Sequence, residues 1–323
     1  MKGEEMSIVL HMGPLDPVLS WEGFCEFAPP YSMAIDGYVN VGPRFDPNGP
    51  RVNFNHHEEV DRLATRATCE QVLISIRQGL FDRFRKDNRP TATVYANDCD
   101  EDVCTSWYLL KNFVLVENTI NLLTNKLVGI EGLMDATAGA YPLSPDLDIL
   151  QTLNWIFEPY RRFRVSGQID RRDAGEFQMI VSLVEARIKE YLAGNADKKP
   201  LDVNYDPIRQ GTGWTMTREI GLNAKSGMFH DKIHAYVCFR ERPNGRWSYT
   251  IGRMSQYVPF NVLNHLRRLS EAELIKDPAS RPFGGGNTIG GCDRALGSTQ
   301  NPDEVFEVVE AGVREDIAKK DLK

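Results

Sequence analysis

Three short apolar runs in the first half of the chain predict buried strands that end in polar loops. They cover residues 8–10, 32–35 and 93–96, and the last two stop at Asp36 and at an acidic cluster that begins with Asp98. Apolar positions at helical spacing predict helices over about 56–86, after Asp102, and over 117–134, 148–164 and 173–192. Asn55 is a good N-cap for the first helix. Strands that alternate with helices indicate an α/β fold with a doubly wound, largely parallel sheet.

The pattern changes after the small, charged stretch at residues 194–204. We therefore predict a first domain over residues 1–193, a linker over 194–204 and a smaller α/β domain over 205–323. Apolar residues 234–239 and 247–251 flank Asn244-Gly245, which predicts a β-hairpin. A short helix from about 260 to 269, a glycine-rich loop and a last helix over 302–317 follow, and the tail 319–323 is expected to fray.

Composition narrows the class of protein and of partner. The chain has 323 residues, 41% of them apolar and 26% charged, which is ordinary for a globular protein of two domains. Its net charge of -7 argues against extensive electrostatic binding of long nucleic acid and leaves short or small anionic substrates open. Six cysteines without a CxxC pair predict free thiols in a reduced compartment. Without a signal-like N-terminus or an apolar stretch of membrane-spanning length, the expected location is cytoplasmic, with no membrane partner.

The acidic cluster has a spacing that favours a cation. Asp98, Asp100 and Asp102 alternate, so in a nearly extended loop their side chains can point the same way. Like charges held together repel unless a cation joins them. The loop is expected at the carboxyl edge of a parallel sheet, where ligands bind. The alternative is that the acids complement the dipole of the next helix, for which one or two would suffice.

Other polar residues are expected near the same sheet edge. Two adjacent histidines follow Asn55, Asp36 follows a predicted strand, and Asp135 lies in a predicted loop of small residues. Carboxylates with a minority of imidazole suit Mn²⁺ or Mg²⁺, and two such ions would clamp a phosphoryl group and activate water. The predicted metal ligands are Asp36, His56, Asp98, Asp100, Asp102 and Asp135, with Asp36 or Asp100 as the bridging ligand. His57 is predicted to contact phosphate or to act as an acid or base, and Asp100 is predicted to be essential for catalysis.

A glycine-rich loop in the second half is a candidate anion site. Five glycines within residues 284–291 leave backbone N–H groups free to turn toward an anion, although a tightly packed turn is the alternative. Arg253, Arg281 and Arg294 lie near it in the sequence. The predicted substrate-binding residues are Arg253, Arg281, Gly284, Gly285, Gly286, Asn287 and Thr288. A dense basic cluster at residues 161–172 is interpreted as a solvated helix end and loop.

These motifs together resemble those of the DHH phosphoesterases. Asn55-His56-His57 is similar to the Asp-His-His signature, the 98–102 cluster to an Asp-x-Asp-x-Asp-Gly motif, and residues 133–137 to a Thr-Asp-Thr loop. Residues 252–255 and 284–291 resemble the Arg-Ser strand and the Gly-Gly-Gly-His loop of the DHH-associated C-terminal domain. The sequence departs from the family at Asn55, Val103 and Asn287, and the histidines precede the acidic cluster instead of following it.

The resemblance implies a metal-dependent phosphoesterase with a DHH-like catalytic domain and a DHH-associated substrate-binding domain. We expect it to hydrolyse a phosphodiester or phosphoanhydride bond with two Mn²⁺ or Mg²⁺ ions, the substrate lying between the domains. The expected substrate is a phosphorylated small molecule or a short oligonucleotide. One alternative is a catalytically inactive DHH-like module that binds a nucleotide or a partner, and another is an unrelated α/β protein whose acids cap helices. The oligomeric state stays open, a homodimer being one alternative.

Overall fold

The computed structural model describes residues 7–117, 121–293 and 296–321. The chain forms two compact units. One unit consists of Met1–Ala136 with Asp148–Lys199, and the other of Thr137–Leu147 with Pro200–Lys323. Each unit combines helices with a six-stranded sheet among the described residues, so the predicted two-domain α/β class is confirmed.

The first unit contains the three strands that the apolar runs predict, together with further strands and a helix over 21–27 that they did not. Its strands are β1 (Ser7–Met12), β2 (Ser32–Ile35), β3 (Arg44–Asp46), β4 (Arg51–Phe54), β5 (Arg85–Lys86) and β6 (Arg89–Ala96). Its helices are α1 (Trp21–Phe27), α2 (Thr68–Arg77), α3 (Leu80–Arg83), α4 (Glu101–Lys111), α5 (Phe113–Glu117), α6 (Leu122–Ala136), α7 (Asp148–Ile156), α8 (Glu158–Val165) and α9 (Ala174–Leu192), with a 3₁₀ turn at Gln168–Arg171 before α9.

Four parallel strands form the centre of the first sheet, in the order β1, β6, β2, β4. Strands β3 and β5 pair antiparallel at β4 and β6. The last strand along the chain, β6, thus lies between two earlier ones. Because parallel strands end at the same sheet edge, the residues that follow β6, β2 and β4 are brought together there. Strand β2 is buried along its whole length, so the end of this strand is held in place by the packing around it.

The helix predicted after Asn55 begins later than the sequence suggested. Asn55 is not an N-cap, and the structure assigns no helix between it and α2, which starts at Thr68. The physical reason is that the Asn55 amide is fully buried and bonded to backbone carbonyls of another loop. The helix also breaks at Gly79, whose left-handed φ of 91° separates α2 from α3.

Two further boundaries differ from the prediction. Helix α6 continues to Ala136, so Asp135 lies on its last turn and not in a loop. The helix predicted over 148–164 is broken after Ile156, because Pro159 can sit in the first turn of a new helix but not inside an existing one.

The second unit is built on a mixed sheet. Its strands are β7 (Tyr205–Gln210), β8 (Thr215–Glu219), β9 (Ala235–Glu241), β10 (Trp247–Arg253), β11 (Gly284–Gly285) and β12 (Ile289–Gly291), and its helices are α10 (Ala224–His230), α11 (Val262–Lys276) and α12 (Pro302–Asp321). The sheet order is β11, β12, β10, β9, β8, β7. Strands β9 and β10 form the predicted hairpin, with Gly245 at φ 73° in its turn. Within this second sheet, only the β8–β9 pair is parallel among the described strands.

The chain passes between the two compact units at more than one point. The crossing from Lys199 to Pro200 falls inside the predicted linker, but Thr137–Leu147 belongs to the second unit although the prediction placed it in the first. Packing explains the difference, since buried Ala140 lies in a cluster with Met228, Phe229, Tyr236 and Cys238. None of the helices in the described ranges has the length and apolar character required to cross a membrane.

Candidate metal centre

The polar side chains of the site come from four elements of the first unit. Asp36 follows β2 with a left-handed φ of 50°, and His56 follows β4. Asp102 lies in the first turn of α4, just after β6, and Asp135 lies in the last turn of α6. The first three positions are adjacent because β6, β2 and β4 are adjacent in the sheet. Their order along the sequence is therefore no obstacle to convergence.

His56 is at the centre of this arrangement. Its side chain is 0% exposed, and its Nε2 lies 2.7 Å from Asp135 Oδ2, 3.6 Å from Asp36 Oδ1 and 3.7 Å from Asp102 Oδ2. Within the described part of the chain, neither ring nitrogen makes a hydrogen bond, and the short approach to Asp135 lacks hydrogen-bond geometry. A buried nitrogen without a hydrogen bond is costly unless it has another partner. A nitrogen lone pair surrounded by carboxylate oxygens fits a divalent cation.

Asp36 is held in its ionised form by the neighbouring histidine. His57 Nε2 lies 2.9 Å from Asp36 Oδ1, and the Thr68 hydroxyl donates to the same oxygen at 3.1 Å. Burial alone would raise the pKa of Asp36, but the His57 hydrogen bond and the charges of both histidines lower it to about 2. For His57, burial would lower the pKa, but the contact with Asp36 raises it. The pair thus favours a protonated imidazole on an ionised carboxylate.

Asp102 connects the candidate metal centre to the start of α2. Its Oδ2 accepts a hydrogen bond from Thr68 N at 2.7 Å, and its Oδ1 accepts one from Cys69 N at 2.6 Å. These bonds satisfy two N–H groups of a helix whose N-cap residue is an alanine. Burial raises the pKa of Asp102 well above its usual range, and the charges of Asp36 and Asp135 add to the effect. A bound cation would reverse this repulsion.

Asp135 is positioned by an arginine that the sequence pattern did not reveal. Arg62 Nη2 lies 3.0 Å from the Asp135 carbonyl oxygen and 3.3 Å from each carboxylate oxygen, and Arg62 Nη1 lies 3.4 Å from His57 Nδ1. Arg62 is in the stretch between Asn55 and α2, which the sequence pattern predicted to be helical but which contains no helix. Thr68 was also missed, since its two contacts with the site depend on where α2 begins. Glu131 is a third residue that the sequence analysis missed, and it is only 2% exposed. Burial raises its pKa well above the usual range, and the charges of Glu101, Asp135 and Asp102 raise it further.

Asp98 and Asp100 lie beside this group. Asp98 Oδ1 accepts from Cys99 N at 2.7 Å, and Asp100 Oδ1 accepts from Val103 N at 2.9 Å as the N-cap of α4. Burial raises the pKa of both carboxyls, and in both cases the charge of Asp36 raises it further. The charge of Asp135 also raises the pKa of Asp100. Asp100 therefore caps α4, as the helix-cap interpretation expects, and it uses only one of its two carboxylate oxygens for the cap.

The ligand atoms fall into two overlapping groups. Among the described residues, Asp36, His56 and His57 form one group and His56, Asp102 and Asp135 the other, with ligand atoms within 4.8 Å of one another in each. A single imidazole nitrogen coordinates one ion, so both groups cannot be filled through His56 Nε2. The geometry therefore defines one cation position around His56. A second ion would need Asp98 or Asp100.

Asn55, which stands where the DHH signature has an aspartate, has a structural role. Its Nδ2 lies 3.2 Å and 2.9 Å from the carbonyl oxygens of Val39 and Val41, and 2.7 Å from Glu58 Oε2. Its Oδ1 accepts from His57 N at 3.1 Å. A carboxylate could not donate to the two carbonyls, so asparagine suits this position.

The predicted anion site belongs to the second unit, and its donors are largely engaged there. Arg253 Nε donates to the Asn287 carbonyl at 2.9 Å, and its Nη1 lies 3.3 Å and 3.0 Å from the carbonyls of Gln256 and Val258. Arg281 pairs with Asp293 at 3.3 Å. Gly284, Gly285 and Gly286 lie in or next to the short β11–β12 hairpin, where Gly286 N donates to Ile289 O, and Thr288 O accepts from Arg253 N. Substrate binding by these residues stays a prediction, and Arg294 lies outside the described residues.

Comparison with known proteins adds no family to this geometry. No family model matches the chain, and no curated protein or solved structure matches it either.

Proposed function

We propose that the chain is a Mn²⁺- or Mg²⁺-dependent phosphoesterase of the DHH type. One observation carries the proposal. The buried Nε2 of His56 makes no hydrogen bond among the described residues and lies within 3.7 Å of carboxylates from three separate elements. Oxygen ligands with one imidazole match the preference of these hard cations.

The side chains divide into holding and proton-handling roles. His56, Asp36, Asp102 and Asp135 would hold the cation, which when bound would polarise a phosphoryl oxygen and make a water more acidic. Thr68 and Arg62 orient two of the carboxylates through hydrogen bonds. His57 is 30% exposed, and its contact with Asp36 raises its pKa. It is therefore suited to deliver a proton to the leaving oxygen of a phosphoester.

The second candidate is a module that binds a phosphorylated ligand without hydrolysing it. It is favoured by His56 Nδ1, which has no hydrogen-bond partner among the described residues. Histidine ligands usually donate this N–H to a group that fixes the ring, and loss of such a partner typically weakens metal affinity about 10-fold to 100-fold. A weakly held cation would allow ligand binding with little turnover.

Two measurements on the purified protein separate these candidates. The first is Mn²⁺ and Mg²⁺ binding by calorimetry after treatment with a chelator. The second is phosphate release from pyrophosphate and cleavage of bis(4-nitrophenyl) phosphate and of short oligonucleotides, each with and without Mn²⁺. A phosphoesterase binds the ion and hydrolyses at least one of these substrates, whereas the binding module binds the ion without hydrolysis.

Variants connect the activity to the site. Asp36→Asn should abolish hydrolysis and reduce ion binding, because it removes a ligand charge and the carboxylate that holds His57. Asp82→Asn is the matched control, since Asp82 is exposed on α3 and the change in charge is the same. Ion binding that survives Asp36→Asn unchanged would refute the proposed centre. Absence of any ion binding in the native chain would leave the acids as helix caps.

A further inference from the structure

His265 is a buried histidine whose ring nitrogens have no partner. It lies near the start of α11, it is 0% exposed, and neither nitrogen makes a hydrogen bond within the described ranges. The ring packs on Phe260 with 4.4 Å between the ring centroids. Gly312 of α12 leaves room for it, since a Cβ at that position would lie 3.0 Å from Nδ1 of His265. Buried polar groups are normally hydrogen-bonded, so this imidazole is an exception that calls for a partner.

The imidazole of His265 is held in its neutral form. Burial lowers its pKa to about 4, the charge of Asp316 opposes this decrease, and the charge of Arg268 adds to it. At neutral pH the ring therefore has one N–H donor and one nitrogen lone pair. The lone pair accepts a hydrogen bond from an N–H or O–H group, and the described residues supply none.

A cavity of about 170 Å³ borders this ring. Its wall comes from three segments of the second unit, which are the turn between β7 and β8, the start of α11, and α12, and it includes Gly213, Pro259, Asn261, His265, Val313 and Asp316. The volume far exceeds the roughly 30 Å³ that one water occupies. It is smaller than the roughly 300 Å³ at which sites for drug-sized ligands begin. The size therefore suits a small organic molecule.

Asp316 gives the cavity its charge. Asn264 Nδ2 lies 3.4 Å from each of its carboxylate oxygens, and Asp316 has no ion pair in the part of the chain that the structure describes. Arg268, whose charge also acts on His265, pairs with Glu315 instead. A carboxylate without a cationic partner, beside a neutral imidazole, favours a positively charged donor and repels an anion.

We propose that this cavity binds a small alkylammonium ion, which is a protonated primary amine on a short apolar chain. The ammonium group pairs with Asp316 and donates a hydrogen bond to the free nitrogen of His265, and the chain lies against Pro259 and Val313. An ammonium group has three N–H donors, so it satisfies both partners at once. The site lies in the second unit and does not depend on the proposed function of the first.

Titration of n-butylammonium chloride into the full-length chain tests the site. Binding is followed by saturation-transfer NMR at neutral pH in EDTA, which keeps metal ions out of the first unit. Butan-1-ol has nearly the same shape without the charge, and butyrate carries the opposite charge. We expect n-butylammonium to bind with a dissociation constant of about 1 mM, as suits a ligand of so few atoms. It should bind about tenfold more tightly than butan-1-ol, because its hydrogen bonds are charge-assisted, and butyrate should not bind.

Variants assign the binding to this cavity. His265→Phe keeps a ring but removes both nitrogens, and Asp316→Asn removes the charge. Asp303→Asn is the matched control, since it removes the same charge from an exposed position of the same helix. We expect each of the first two variants to weaken n-butylammonium binding about tenfold, and the control to stay within about twofold of the native chain. Thermal unfolding shows whether each variant is folded, and if His265→Phe is not, Asp316→Asn alone decides.

Three results would overturn the proposal. Equal affinity for n-butylammonium and butan-1-ol would show that the cavity is merely apolar. Full affinity in a folded Asp316→Asn variant would place the amine elsewhere, and absence of binding up to about 50 mM would leave the cavity to water. If Nα-acetyl-lysine amide binds more tightly than n-butylammonium and loses the same affinity in Asp316→Asn, the site stands and its ligand is a lysine side chain and not a free amine.

Discussion

Replacement of Asp135 should make the metal-free protein more stable and the metal-loaded protein less stable. Ligand atoms of Asp135 and Asp102 lie within 4.8 Å of each other, so two ionised carboxylates there would repel by about 3 kcal/mol at an effective dielectric constant near 20. The raised pKa of Asp102 shows how the apo site reduces this cost, by favouring the protonated carboxyl. The full repulsion is therefore an upper bound on the stabilisation that replacing Asp135 can give the metal-free protein.

Removal of the Asp135 charge also breaks its ion pair with Arg62, which makes the stabilisation smaller. Arg62 Nη2 lies 3.3 Å from both carboxylate oxygens of Asp135, and partly exposed pairs of this kind contribute about 0–1 kcal/mol. Asp135→Asn keeps the size and an oxygen, so we expect a net stabilisation of the apo protein of about 1 kcal/mol. In a unit of this size, that raises the melting temperature by about 2–4 °C.

Thermal unfolding with and without Mn²⁺ tests the balance. An ion present at 100 times its dissociation constant stabilises the native chain by about 2.7 kcal/mol, and the asparagine variant should lose most of this shift. Plotted against Mn²⁺ concentration, the melting temperatures of the native chain and of Asp135→Asn should therefore cross. The melting temperature of Asp82→Asn should follow that of the native chain. A lower melting temperature of the apo variant would refute the repulsion argument, and an intact Mn²⁺ shift would exclude Asp135 as a ligand.

Three other substitutions test neighbouring hydrogen bonds. Thr68→Val removes the hydroxyl that donates to Asp36 and should weaken Mn²⁺ affinity about tenfold in calorimetry, while Thr68→Ser retains it; equal affinities would show that the bond is dispensable. Glu310 accepts hydrogen bonds from Thr212 and Trp214, and although burial opposes ionisation, these bonds lower its pKa to about 2. A lowered folded-state pKa gives stability that is present above the ordinary value near 4.5 and is lost as pH falls toward 2. Glu310→Gln should therefore cost about 1–2 kcal/mol in urea unfolding at pH 7 and little at pH 2, and a loss that does not depend on pH would contradict this account. Arg253→Ala should destabilise the second unit by about 2 kcal/mol, because three backbone carbonyls lose a charged donor; unchanged urea unfolding would free that arginine for the predicted substrate role.

The position of the site at one edge of the sheet was predictable because strand ends can be read from the local pattern of apolar and polar residues. Apolar runs that stop at Asp36 and near Asp98 identify strand ends, and strand ends of a parallel sheet share one edge. The convergence of Asp36, His56 and Asp102 follows from that rule without knowledge of the chain order. Asp135 does not follow from it, because it reaches the site from the last turn of α6.

The side chains that orient the ligands were not predictable in this way. Arg62 and Thr68 act through the irregular path of residues 55–67, where the apolar spacing and the good N-cap at Asn55 predicted a helix. Burial of the Asn55 amide against two carbonyls overrode this local preference. Tertiary hydrogen bonds of a buried polar group outweigh a capping preference of about 1 kcal/mol.

The segment Thr137–Leu147 makes the second unit discontinuous in the chain. A fragment that starts at Pro200 lacks this segment, and with it Ala140, the partner of Met228, Phe229 and Tyr236 in their buried cluster. Expression of residues 200–323 alone would therefore leave an apolar surface uncovered, which favours aggregation. Cleavage after Lys199 would instead give two fragments that stay associated, because the longer one retains the segment that completes the unit of the shorter one.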